Sequence, residues 1–373
     1  MAYYKTFPTQ DSTLYSSYPE VNTGLDAMCE ASNILGIGGN PGVSRFLTLF
    51  DNDEIIDIIN NKINGKEFNV YFLNSIATAQ GINADINVEV HPIAQQWNNG
   101  TGYYGAFPQI RDGASWNYAS FSGSNPWSLT GSIGGYNYEG YINPTYVTGG
   151  GGNWFTTGSL SVTHSFGLRS SKDLAFPVTN IVNSWYSSSI PNYGFITKLS
   201  SSFEFNPNPH IQPILKYYSV DTNTIYPPQL EFRWRDYTTI LTGPASSSIV
   251  TDQNIKLSLN ENHAVFHPES VNRFHINVSP TYPARAFQTS SLFTSVNYLP
   301  TSSYYSIKDL ATNEVIINFD EKYTQISSDA NGNYFDVYMS GLEPERYYKI
   351  LIKTVINGSI LVLDDDYYFK VNN

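Results

Sequence analysis

The chain has 373 residues, with 20 Lys and Arg against 32 Asp and Glu, for a formal net charge of -12. Only 14% of it is charged where about 25% is usual, and polarity comes from Asn, Ser, Thr and Gly beside 29 Tyr, 21 Phe and 6 Trp. This excludes a long helical bundle and a disordered chain. It also argues against nucleic acid as a partner, since phosphate binding needs clustered Lys and Arg.

The opening Met1-Ala2-Tyr3-Tyr4-Lys5-Thr6-Phe7-Pro8 lacks the apolar core of a secretion signal, and no run approaches the roughly 18 apolar residues of a membrane helix. The expectation is a protein that is neither exported nor membrane-bound. Cys29 is the single cysteine, so an intrachain disulfide or a Cys-based zinc site is excluded.

Short β-branched or aromatic runs predict strands over 44–50, 68–73, 86–90, 160–166, 194–198, 214–220 and 229–234. Two helices interrupt them. The first is expected over 53–63, with Asp51 or Asn52 as N-cap, Ile55, Ile56, Ile59 and Ile63 as its apolar stripe, and Gly65 beyond its end. The second is expected over 178–185, where Val178, Ile181, Val182 and Trp185 share one face. Between Asn98 and Asn153 the chain is rich in Gly, Tyr, Trp and Asn without a clear period. It reads as long loops, and loops of that length inside a domain usually carry function. A second series of strands is predicted over 255–259, 273–278, 304–307, 314–319, 334–339, 348–354 and 367–371. The domain reading is 1–238 followed by 239–373. Asn64-Gly65, Asn331-Gly332 and Asn357-Gly358 mark turns, the latter two as tight hairpins, with a type I′ turn expected at Asn331-Gly332.

Chemistry is thinly signalled. His263 and His267 have the four-residue spacing of helical metal ligands, but their segment lacks the HExxH glutamate and ends at Pro268. Asp364-Asp365-Asp366 alternates faces as a strand and reads as a solvated hairpin edge, not a cation site. Gly36 to Gly42 has no Lys-Ser/Thr to cradle a phosphate and reads as a connector. No G-x-S-x-G elbow occurs. The expectation is therefore no catalytic residue, no metal, no cofactor and no enzymatic activity. The aromatic loops supply the sharper hypothesis, because flat rings stack on sugars or anchor protein interfaces. Tyr103, Tyr104, Trp127, Tyr136, Tyr138, Tyr141 and Trp154 are the candidate binding residues, whereas Trp97 and Trp116 read as core.

Several segments in order carry a family likeness. Asp11-Ser12-Thr13-Leu14-Tyr15, Asn22-Thr23-Gly24, Ser44 to Asp51, Trp97 with Gly100-Thr101-Gly102, Ser115-Trp116, Phe176 to Trp185, Pro191 to Ile196 and Pro228 to Phe232 together resemble the disaggregatase-related (DNRLRE) β-sandwich family, a jelly-roll relative of carbohydrate-binding modules. The chain is also similar to β-rich structural proteins of tailed bacteriophages, on Thr13-Leu14-Tyr15-Ser16, Asn22-Thr23-Gly24 and Tyr226 to Trp234. In the second half, Leu342 to Ile352 resembles the corner between strands E and F of immunoglobulin or fibronectin-III-like sandwiches. That likeness implies that the Tyr348 hydroxyl ties the loop to the backbone, with Ile350 and Ile352 pointing into the core.

The resulting expectation is all-β: a jelly-roll-like β-sandwich with two short helices, then an immunoglobulin-like β-sandwich. The resemblances imply a non-enzymatic structural protein of a phage virion, in the neck or collar, baseplate, fibre or head decoration. Other virion proteins and further copies of the chain would be its partners. The alternative is an adhesion module that binds host-surface glycans through the aromatic loops.

Overall fold

A computed structural model gives the structure of the protein over residues 2–35, 41–128, 150–155, 158–204, 206, 208, 210–239, 248–260, 264–282 and 296–372. Strands take 46% of the chain and helix 10%, so the architecture is all-β. The chain divides into two compact units: Thr6–Asn60 with Asn69–Glu231, and Phe232–Asn373 with Met1–Lys5 and Asn61–Phe68. The last crossing between them thus falls at 231/232, beside the 238/239 read from the sequence. Recruitment of the two earlier segments has no local signature.

The first unit is built on one large antiparallel sheet. Its strands run in the order Val162–Phe166, Ile86–Pro92, Phe195–Leu199, Pro41–Phe50, Met28–Leu35, Ile214–Tyr218 and Ile76–Gln80, with Pro8–Tyr15 also paired to Pro41–Phe50. Pro41–Phe50 organises this sheet: its second half pairs with Phe195–Leu199 and its first half with Met28–Leu35. Both faces of the sheet are covered. All five residues of Phe195–Leu199 are buried, which alternation of polar and apolar residues would not predict. One face holds Phe46, Phe50, Phe72 and Phe195, where the Phe72 and Phe195 rings stack 4.7 Å apart. The other carries Leu14, Val43, Leu47 and Ile196 under a layer made of Trp97, Trp116, Trp127 and Trp154.

The helices lie close to expectation. Asn52–Asp57 is N-capped by Asp51, whose carboxylate accepts from the Asp53 N–H at 3.0 Å, and it continues as the π-helical turn Ile58–Ile63. Thr179–Tyr186 buries Ile181, Val182 and Trp185, with the Trp185 ring 4.7 Å from Phe195. Gly194 returns the chain into its strand at φ +87°, and a Cβ there would meet the Thr48 carbonyl oxygen at 2.2 Å.

The second unit packs two sheets around Phe274, Tyr305, Phe335, Ile350, Ile352 and Phe369. One contains Ile255–Asn260, Val271–Pro280, Gly332–Tyr338 and Ser327–Asp329. The other contains Val265–Phe266, Tyr368–Val371, Tyr347–Ile356, Ser303–Asp309 and Val315–Ile317, with Ser359–Leu363 also on Tyr347–Ile356. Tyr305 and Phe335 stack at 4.2 Å between them. The Tyr348 hydroxyl donates to the Glu343 carbonyl at 2.9 Å, as the corner likeness implied, and Ile350 and Ile352 are buried. The Asn357-Gly358 hairpin has the two positive φ values of a type I′ turn. The Asn331-Gly332 hairpin does not, and that expectation is corrected: only Gly332 has positive φ, and the Asp329 carboxylate accepts from the Asn331 N–H at 2.8 Å instead. A side-chain Asx bond here replaces the backbone geometry that Asn-Gly would supply.

Candidate functional site

The described residues of the first unit form an open cleft of about 630 Å³ lined by Tyr15, Leu25, Asp26, Ala27, Met28, Glu30, Tyr103, Tyr104, Lys216, Asp221 and Asn223. A smaller hollow of about 130 Å³, between Tyr18, Val21, Gly105 and Gln109, shares Tyr104 as a wall. Two sheet strands supply the floor, where Lys216 and Glu30 are register partners and their Nζ and Oε2 atoms lie 3.2 Å apart.

The tyrosines come from the loop, and a single buried asparagine fixes that loop. Asn22 Nδ2 donates to the carbonyls of Asn99 at 2.6 Å and Ala114 at 2.8 Å, while its Oδ1 accepts from the Gly102 N–H at 2.7 Å. Asn99 Nδ2 donates back to the Gly24 carbonyl at 2.7 Å. The approach is so close that a Cβ on Gly24 would meet the Asn99 carbonyl oxygen at 2.1 Å, and one on Gly102 the Asn22 carbonyl oxygen at 2.2 Å. Asn22-Thr23-Gly24 and Gly100-Thr101-Gly102, two of the segments that carry the family likeness, are thus two halves of one clasp. Beyond it the Tyr104 N–H donates to both carboxylate oxygens of Asp26, at 3.0 and 3.1 Å.

The rings therefore stand on a fixed base. Tyr103 and Tyr104 are 49% and 52% exposed, and the Tyr104 ring has Tyr15 at 4.8 Å and Tyr18 at 5.8 Å. Glu30 is occupied by Lys216 and by the Ser32 hydroxyl, which donates to its Oε1 at 2.6 Å. The Asp221 carboxylate and the Asn223 amide stand exposed on the cleft with no side-chain hydrogen bond or ion pair among the described residues. Burial pushes the Asp26 carboxyl up, against the Tyr104 N–H and Lys216, and it pushes Asp221 up as well. Deeper in the sheet, Asp11 is raised to about 7, first by burial and further by Asp221 and Asp26. The Val220 N–H, donating to it at 2.6 Å, and Cys29 pull the other way. Cys29 is buried, and burial holds its thiol well above the ordinary range.

A second polar cluster lies inside the tryptophan layer. Arg45 is fully buried, with bonds from Nε and Nη2 to the Glu204 carboxylate at 2.6 and 3.0 Å and from Nη1 to the Gly151 carbonyl at 2.7 Å. Its guanidinium lies 5.0 Å from the Trp116 ring and 5.1 Å from Trp154. Lys198 continues the cluster to Glu89 at 3.2 Å, and Glu89 reaches His91 at 3.5 Å. Burial works against ionised Glu89, but His91 and Lys198 outweigh it and hold the carboxyl at about 2. Burial lowers His91. Every charge in this cluster has an opposite partner within it.

Only some of the aromatic candidates reach the surface of the cleft. Tyr103 and Tyr104 line it. Trp127 and Trp154 are each 4% exposed and face the core, where the Trp127 indole N–H donates to the Ser115 carbonyl at 2.9 Å. Neither Trp presents a ring to a ligand, because each fills the layer that covers the sheet. Tyr136, Tyr138 and Tyr141 lie outside the described residues, as does His263. Trp97 and Trp116 are core, as read from the sequence. Asp26, Glu30, Lys216, Asp221 and Asn223 were missed: isolated polar residues, far apart in the chain, carry no motif. Among the described residues no group of three or more His, Cys, Asp or Glu side chains is arranged to hold a metal ion. Asp364 and Asp366 instead bind Lys349 Nζ at 2.7 and 2.9 Å. No helix among the described residues is long and apolar enough to cross a membrane.

No family model matches the chain, and the search of curated proteins found no match either.

Proposed function

We propose that the chain is a non-enzymatic attachment protein of a phage virion, with the first unit binding host-surface glycan in the Tyr103–Tyr104 cleft. The observation that carries this reading is the presence, in one cleft, of exposed aromatic rings and of an Asp221 carboxylate and Asn223 amide that have no side-chain partner among the described residues. A pyranose presents an apolar C–H face that stacks on such a ring, and vicinal hydroxyls that bond a carboxylate and an amide at once. The clasp at Asn22 supports it, since a pre-organised loop loses little entropy on binding. A single site of ~1 mM affinity amounts to only ~4 kcal/mol, so attachment would work through many copies held together. Glycan-array screening of the oligomerised full chain tests this. Tyr103→Ala and Asn223→Ala should each abolish the signal at unchanged Tm, and a blank array would sink the glycan reading.

Assembly through protein contacts is the second reading, and a feature of the other unit favours it. Ser359–Leu363 pairs only with Tyr347–Ile356 among the described residues, and its outward Ile360 and Val362 are exposed. An edge of that kind accepts another strand. Light scattering after size exclusion, with mass spectrometry of intact particles, checks it. Ile360→Lys should split an oligomer into monomers, and a wild-type chain that is monomeric and absent from particles would refute assembly.

A further inference from the structure

The cleft has a charge as well as a shape. Among the described lining residues Asp26, Glu30 and Asp221 stand against the single cation Lys216, which Glu30 already occupies. Asp26 takes its two hydrogen bonds from a neutral amide, the Tyr104 N–H, and the Lys216 charge that also acts on it is shared with Glu30. Asp221 is unpaired among the described residues. Burial is the leading cause that raises the Asp11, Asp26 and Asp221 carboxyls, and for Asp11 the Asp221 and Asp26 charges add to it, so a further negative charge beside these carboxylates is unfavourable. A carboxylated or sulfated sugar would add another negative charge. A neutral sugar would leave Asp221 with hydroxyl partners alone. An ammonium would supply the missing counter-charge, and a tyrosine face beside it would add cation–π attraction.

The geometry points to a sugar bearing a free amine, a 2-amino-2-deoxyhexose unit as in deacetylated chitin, bound with its ring against Tyr103 and its ammonium on Asp221. This rests on the glycan reading above and adds the class of sugar.

Titration calorimetry of the full chain near neutral pH and physiological salt decides it, with tetramers of glucosamine, of N-acetylglucosamine and of galacturonate as probes. The glucosamine tetramer is expected to bind about ten-fold more tightly than its acetylated counterpart, a difference of about 1.4 kcal/mol, with galacturonate giving no heat. Asp221→Asn should bring the first two within about two-fold of one another at unchanged Tm, because it removes the charge and keeps the shape. Equal or tighter binding of the acetylated tetramer, lost in Tyr103→Ala, would overturn the amine preference and leave the glycan reading standing. Glucosamine binding that survives both Tyr103→Ala and Asp221→Asn would mark diffuse attraction to an acidic protein and would overturn the inference. Silence from all three sugars would overturn this inference and remove the support for the glycan reading.

Discussion

The cleft and the tryptophan layer use the same materials, aromatic rings beside charged groups, in opposite ways. Around Arg45 the rings of Trp116 and Trp154 face inward, and Glu204 and Gly151 satisfy the guanidinium. In the cleft Tyr103 is 49% exposed, and Asp221 and Asn223 have no side-chain partner among the described residues. An aromatic-rich loop therefore does not by itself announce a binding surface. What separates a core from a site is whether its polar groups find partners within the protein, because a buried unpaired group is costly while a solvated one is free to bind.

The comparison breaks most forcefully at Arg45. Among the described residues Arg45→Met leaves buried Glu204 with Lys198 alone as its cation, 3.8 Å away, and should cost about 3–5 kcal/mol in urea unfolding. Replacing both partners, Arg45→Met with Glu204→Leu, should cost less than the single change. If the single change is silent, the layer is not held by this pair.

Asp11 comes next, and its sign is opposite to that of a salt-bridged acid. Its folded pKa of about 7 lies above the ordinary 3.8, so the contribution is fully present below about pH 4 and is lost as pH rises through 7. The loss is roughly 4 kcal/mol across that window. Asp11→Asn should remove this fall, so its stability relative to wild type should improve steadily from pH 4 to 7 in denaturant titrations. Parallel curves for the two proteins would refute the assignment.

Asn22 connects stability to the site. Asn22→Ala strips the clasp of its side-chain hydrogen bonds and leaves buried backbone groups unpaired, at a cost of about 2–3 kcal/mol. It should also weaken glycan binding, as the loop carrying Tyr103 and Tyr104 loses its anchor. Smallest in stability is Tyr103→Ala, within about 0.5 kcal/mol of wild type, because half of that side chain is already in water. A large loss of Tm there would place Tyr103 with the core residues.

Much of the strand pattern was legible. The 229–234 strand matches its reading, and the apolar face of Thr179–Tyr186 follows from the spacing of Ile181, Val182 and Trp185. Pro8–Tyr15 and Met28–Leu35 were not read as strands, because Gln10, Asp11, Ser12 and Thr13 or Glu30, Ser32 and Asn33 look like loop. Several of these polar groups find partners far along the chain: the Thr23 hydroxyl accepts from the Thr13 N–H, and Ser32 and Ser44 share a bond across two strands. Of the site, Tyr103 and Tyr104 were legible and their polar companions were not.

Composition and local period determined that this protein is all-β and that two short helices interrupt the first series of strands, while the resemblance of Leu342 to Ile352 implied the Tyr348 corner in the second. Each depends on neighbours within a few residues, where backbone preference and side-chain alternation act. Tertiary structure alone decided that Trp127 and Trp154 belong to the core, and which acids meet in one cleft. Those outcomes depend on contacts such as Asn22 with Asn99 and Glu30 with Lys216, between residues far apart in the chain, and local pattern carries no record of them.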